Sequence, residues 1–160
     1  MQLAADLDTP AVTIDLSKLE KNIARAQRLV SEAGKLNRPH IKTHKIPAIA
    51  AMQMKAGATG ITCQKVGEAE VLIDAGVADD ILITFNIVGA AKTRRLVDLA
   101  RRVKRLAVVA DNQTVLQGLS EAARGSGFDL PVLIECDGGF GRNGVQTPDA
   151  ALDLARLAGR

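Results

Sequence analysis

Both histidines of the chain stand two residues either side of one lysine, in Arg38-Pro39-His40-Ile41-Lys42-Thr43-His44-Lys45. Read as a strand, that spacing puts His40, Lys42 and His44 on one face. A cation between two imidazoles is a poor way to build a core. It suits a site where a lysine, desolvated beside other cationic groups, has a lowered pKa and a neutral amine able to attack a carbonyl. The bland alternative is a lysine that snorkels from a strand end to water. Spacing alone weighs the two about equally.

A second cluster is Glu135-Cys136-Asp137-Gly138-Gly139-Phe140-Gly141-Arg142-Asn143-Gly144. It contains Gly139-x-Gly141-x-x-Gly144, which taken literally is a dinucleotide fingerprint. Two points count against that reading. The third glycine should lie inside a helix, whereas Thr147-Pro148 marks the helix start further on. The acidic residue expected about 20 positions later would fall beyond residue 160. The glycines instead let a loop fold tightly and aim Arg142 across the strand ends. A third strand-end turn, Gln64-Lys65-Val66-Gly67-Glu68-Ala69-Glu70, places Gln64 where it can face the same mouth as Lys42. Glu68 there is accounted for as an acidic residue favourable to a helix dipole. Asn86 and Asp111-Asn112 end further strands and read as helix caps.

The elements that must position these residues alternate along the chain. Strands are predicted at Ala11–Ile14, Arg38–Lys42, Thr59–Cys63, Ile81–Phe85, Leu106–Ala110 and Val132–Cys136. Between them run helical patterns. Ser17-Lys18-Leu19-Glu20 reads as a capping box, Leu19, Ile23, Ala26 and Val30 as one buried face, and Gly34 as the stop. Pro47 and Pro148 each suit a first helical turn. The apolar runs at 81–85 and 132–136 hardly alternate, the mark of parallel strands covered on both faces. The fold class is therefore α/β. Periodicity does not separate a barrel from a doubly wound sheet, but a closed eight-stranded barrel usually needs about 250 residues.

Composition narrows the function classes. With 160 residues, 47% apolar and 24% charged, the chain is expected to form one domain with a real core. Aromatics make up 2%, without Trp or Tyr, which disfavours a single-strand nucleic-acid binder built on stacking platforms. The net charge of +3 is small, and its densest run, Arg94-Arg95 to Lys104-Arg105, reads as a solvated helix face. Cys63 and Cys136 sit inside apolar runs and read as buried small hydrophobes. No apolar run approaches the roughly 18 residues of a membrane span, and the N-terminus lacks a signal pattern. A cytoplasmic protein without nucleic-acid or membrane partners is expected.

Taken in order, Asp8-Thr9-Pro10, the Pro39-His40-x-Lys42-Thr43-His44-Lys45 segment, Thr62-Cys63-Gln64-Lys65-Val66-Gly67-Glu68-Ala69-Glu70 and Asp137-Gly138-Gly139-Phe140-Gly141-Arg142-Asn143-Gly144-Val145 resemble the D-threonine aldolase and D-serine dehydratase family. These are relatives of the alanine racemase N-terminal domain, fold-type III pyridoxal-phosphate enzymes. The resemblance implies an incomplete (β/α)8 TIM-type barrel over residues 1–160, with about five barrel units. The strand at 11–14 would belong to a second, β-rich domain. It implies that Lys42 forms the Schiff base with pyridoxal 5'-phosphate and that Arg142 bonds the cofactor's phenolic oxygen. His40 and Gln64 would line the cofactor, and His44 or Lys45 would modulate Lys42. It further implies retro-aldol cleavage of a D-3-hydroxy amino acid to glycine and an aldehyde, or dehydration of D-serine, or cleavage of 3-hydroxy-D-aspartate. A homo-oligomer is expected, with a divalent metal only in a C-terminal part outside this sequence. The reading of a different class is a catalytically silent fragment.

Overall fold

The computed structural model describes residues 6–159. Four parallel strands, β1 (Ile61–Cys63), β2 (Asp80–Ile83), β3 (Arg105–Ala110) and β4 (Val132–Ile134), lie in the order β1-β2-β3-β4. Helices α3 (Val66–Asp74), α4 (Ala90–Ala100), α5 (Gln113–Ala123) and α6 (Pro148–Ala158) follow them in turn. Each strand is laid beside the last after one helix, which is the progression of a TIM-type barrel and not the reversal of a doubly wound sheet. Before them come α1 (Leu16–Glu32) and α2 (Pro47–Lys55). The α/β, partial-barrel expectation is met.

The register sorts the strand side chains into two sets. Ile61 pairs with Ile81 and Ile81 with Leu106, while Cys63, Ile83 and Val108 line up one pleat further on. This set is buried in the core with Leu72 of α3, Leu96 of α4 and Leu119 of α5. The alternate set is Thr62, Leu82 and Ala107, then Val109 beside Leu133. It faces the other way, the side that would line a barrel. Because Thr84 N–H donates to the Cys63 carbonyl and Glu135 N–H to that of Ala110, the alternation runs on past the strand ends. It brings Gln64, Thr84, Asn86, Asp111 and Glu135 to one face at the carboxyl edge of the sheet.

Several expectations need correction. Residues 38–42 do not form a strand: His40 makes one parallel bridge to Thr62, and the chain then enters a 3-10 turn, Ile41–Thr43. Lys42 and His44 therefore do not share a strand face with His40. Residues 11–14 pair with nothing among the described residues, and Val12 is fully exposed, so the strand predicted there lacks the partner a ladder requires. The cap of α1 is Asp15, whose Oδ1 accepts from Lys18 N–H at 3.0 Å, and Ser17 lies within the helix. Leu19, Ile23 and Val30 are half-buried and Ala26 is exposed, so that face is only partly covered. Cys136 is exposed because β4 stops at Ile134 and leaves it at a loop mouth. The cations of the Arg94–Arg105 run are exposed, as expected of a solvated face, and several pair with carboxylates: Arg95 with Glu70, Arg102 with Asp74 at 2.6 Å and Arg101 with Asp98 at 3.4 Å.

Candidate active site

The two histidines serve the backbone. Lys42 N–H donates to His40 Nδ1 at 3.3 Å, and Ile46 N–H donates to His44 Nδ1 at 3.0 Å. Each imidazole thus caps an amide two residues on, and the two capped turns bracket Lys42. With Nδ1 accepting, the neutral proton of each ring resides on Nε2. His40 Nε2 then lies 3.4 Å from Thr84 Oγ1, which donates onward to the Cys63 carbonyl at 3.3 Å. Burial, reinforced by the charge of Lys42, holds the His40 pKa below its ordinary value; burial does the same for His44. His44 Nε2 and Gln53 Oε1 are both buried without a hydrogen-bond partner.

Lys42 itself is exposed, and its Nζ has no hydrogen-bond or ion-pair partner among the described residues. Lys45, three residues on, adopts φ 56°, a left-handed conformation unusual for a residue with a side chain. Its ammonium pairs with Glu68, which is 6% exposed. The other oxygen of Glu68 accepts from Gln64 N–H at 2.7 Å. Burial pushes the Glu68 carboxyl up, but the hydrogen bonds from Lys45 and the Gln64 amide outweigh it and leave it below the usual carboxylate range. Glu68 is therefore more than a dipole-friendly residue in the first turn of α3.

Arg142 lies on the loop after β4, at the same carboxyl edge. Hydrogen bonds Asp137 N–H to the Val145 carbonyl (3.0 Å) and Val145 N–H to the Glu135 carbonyl (2.8 Å) close that loop. Inside it the Asp137 carboxylate accepts from the amides of Gly139, Phe140 and Gly141 and from Gln146 Nε2. Gly144, at φ 100°, is required by close approach: a Cβ there would meet Asp137 N and Cys136 C at 2.5 Å. The loop places α6 after it, from Pro148, so the Gly139-x-Gly141-x-x-Gly144 pattern is a turn device and not a nucleotide fingerprint. Arg142 is exposed, its Nε donating only to Asn143 Oδ1 at 2.8 Å.

Asp111 ties the strand ends together. Its carboxylate accepts from Asn86 Nδ2 at 2.7 Å, Asn112 Nδ2 at 2.7 Å and Gly144 N–H at 3.0 Å. Asn112 does cap α5, as its sequence position suggests, through Val115 N–H at 3.0 Å. Asn86 caps nothing; the cap of α4 is Gly89. Sequence reasoning missed Asp111, Glu68, Thr84 and Asp137 as site-builders. The signal lay in strand parity, which puts 84, 86 and 111 on the Gln64 face once the register is known. Asn86 Oδ1 and Glu135 Oε2 are buried acceptors without partners at this edge.

Two cavities lie away from these residues. One, of about 930 Å³, is a groove between α5, β4 and α6 lined by Leu119, Phe128 and Leu157; another, of about 450 Å³, separates α4 from α5. Neither contains Lys42, Gln64 or Arg142. The polar strand ends, and not these grooves, carry the reactive groups.

Residues 14–160 match the family model described as alanine racemase, N-terminal domain. The chain belongs to that family. It is 41% identical over 154 residues to D-threonine aldolase of Arthrobacter sp., covering 96% of this chain and 40% of that protein. It is 34% identical over 155 residues to 3-hydroxy-D-aspartate aldolase of Paracoccus denitrificans, again covering 96% and 40%. The crystal structure of D-threonine aldolase from Filomicrobium marinum superposes with a TM-score of 0.93 at 40% identity, over 98% of this chain and 42% of that one. The chain thus spans about two fifths of the length of these relatives.

Proposed function

We propose that this chain is the cofactor-holding part of a pyridoxal-phosphate lyase acting on D-3-hydroxy amino acids, in the manner of a D-threonine aldolase. The observation that carries the reading is Lys42: an exposed amine between two imidazole-capped turns, at the sheet edge that also bears the Arg142 loop. The family membership and the aldolase relatives support the same choice. Residues 1–160 then form the first part of the barrel domain.

The groups present fit pyridoxal phosphate. Lys42 offers an amine for its aldehyde, Arg142 a guanidinium for its phenolic oxygen, and His40 and Gln64 a polar wall. When bound, the cofactor supplies an electron sink for the carbanion left as the Cα–Cβ bond breaks. His40, held neutral and anchored to Thr84, orients the turn without adding a charge beside the lysine. Lys42 Nζ, unpaired, is the group able to take up or release a proton there. Lys45 is engaged by Glu68 and acts through position, while His44 fixes the turn that follows. Among the described residues no group of three or more His, Cys, Asp and Glu could hold a metal ion; a divalent metal outside residues 1–160 is part of the proposal. Association with a second copy of the chain is part of the proposal. No helix among the described residues is long and apolar enough to cross a membrane; a cytoplasmic location is part of the proposal.

The test is to incubate the protein with pyridoxal phosphate and D-threonine and to assay glycine, acetaldehyde, ammonia and 2-oxo acid. Glycine with acetaldehyde, lost in Lys42→Ala, identifies an aldolase; ammonia with a 2-oxo acid identifies a dehydratase. Cofactor captured on Lys42 without turnover indicates a cofactor-holding part that needs the rest of the barrel. Activity or cofactor capture that survives Lys42→Ala overturns the proposal.

A further inference from the structure

We infer that Glu68 and Lys45 form a positioning pair that sets the turn presenting Lys42 against the strand end presenting Gln64. The inference rests on the reading of Lys42 as the cofactor's anchor. Glu68 sits at the junction of two segments. One of its oxygens takes the ammonium of Lys45, and the other takes the amide of Gln64 at 2.7 Å. The Ile41 carbonyl accepts from both His44 N–H (3.0 Å) and Lys45 N–H (2.7 Å), so the turn is wound about the 1% exposed Ile41. The chain leaves that turn through the left-handed conformation at Lys45.

A left-handed position exiting a turn is ordinarily glycine's, since a Cβ is disfavoured there. A lysine in its place forgoes that ease, and its ammonium reaches a buried carboxylate 23 residues on. Removing one partner would leave Glu68 buried and unpaired, whereas the pair together satisfies it. The carboxylate touches no atom of Lys42, so its action runs through the backbone of 41–45 and of Gln64. Lys42 needs this support because its own side chain is held by nothing among the described residues. A reactive group misplaced by about 1 Å can lose on the order of a hundredfold in rate.

The experiment separates backbone conformation from charge. Lys45→Gly suits the left-handed position, which offsets part of the cost of leaving Glu68 without its cation, and the Gln64 amide still satisfies one Glu68 oxygen; Lys45→Arg keeps the cation. Two readouts are taken: the rate of borohydride-trapped pyridoxal phosphate on Lys42, and amide hydrogen exchange at Lys42 and Gln64 without cofactor. Trapping is expected to slow about tenfold or more in Lys45→Gly and in Glu68→Gln, and to stay within about twofold in Lys45→Arg. Exchange at both amides is expected to accelerate in the first two variants alone. A folded Lys45→Gly protein with parental exchange at both amides overturns the inference. If the parent itself traps no cofactor at Lys42, the functional reading fails, and the exchange measurement still decides the pair.

Discussion

Replacing Asp111 by Ala should loosen the whole carboxyl edge of the sheet, and the size of the loss follows from its contacts. The carboxylate accepts from half-buried Asn86 at 2.7 Å and from the Gly144 amide at 3.0 Å, with a third bond from exposed Asn112 at 2.7 Å. A hydrogen bond to a charged acceptor contributes about 1.5 kcal/mol or more, and stranding a half-buried donor adds to the loss. The Asn112 bond adds less because water replaces it. Destabilisation of about 2–4 kcal/mol is expected, or a fall in melting temperature of roughly 5–15 °C for a chain of this size. Thermal unfolding followed by far-ultraviolet circular dichroism measures it. Asp111→Asn should be nearly as damaging, because its amide nitrogen would face a donor where the second oxygen accepts. Exchange at the Gly144 amide should rise in both. A shift below about 2 °C with parental exchange at Gly144 would refute the clamp.

Other outcomes follow from the same structure. Gly144→Ala should cost more than about 2 kcal/mol, since the new Cβ meets backbone atoms at 2.5 Å and φ is 100°; urea denaturation checks this. His40 and His44 both have folded pKa values below 6.5, so above that pH neither state binds the extra proton and their contribution is complete. As pH falls through about 6.5 the unfolded chain protonates first and stability declines, until the folded-state pKa values are passed. Glu68, Asp80 and Asp111, lowered from 4.5, 3.8 and 3.8, should give a second loss as pH falls below those values. Urea midpoints from pH 8 to pH 3 should therefore fall in two steps, the first absent in the His40→Gln, His44→Asn double variant. Burial raises the Cys63 thiol to about 12, while Cys136 is exposed. A maleimide should accordingly label only Cys136 in the native protein and both cysteines in denaturant.

The fold was legible wherever local chemistry and tertiary packing agreed. The apolar runs that became β2, β3 and β4, Pro47 and Thr147-Pro148 at helix starts, and Asn112 as a cap all speak through neighbours in sequence. The Arg142 loop was legible for the same reason, because glycines at 139, 141 and 144 leave few other uses. Residues 38–42 were misread because period-two spacing of His, Lys and His imitates a strand. What decides the matter is each imidazole accepting an amide two residues on, which a polarity pattern does not reveal. Glu68 is the first-turn acid expected, but its second role stays hidden because its partner is 23 residues away and a first-turn acid already has a local explanation. Asp111 was hidden in the same way beside a genuine cap. Long-range partners of charged residues were thus the part not written in local sequence.

Everything proposed for this chain turns on Lys42 as the anchoring amine of an inherited half-site. Its most direct test is to add pyridoxal phosphate to the purified protein, reduce with borohydride, digest, and map the modified lysine by mass spectrometry. Label is expected on Lys42 alone, with none in Lys42→Ala, whose melting temperature should be nearly unchanged because the side chain is exposed and unpaired. Label spread over many surface lysines, or an equal yield from Lys42→Ala, would contradict it.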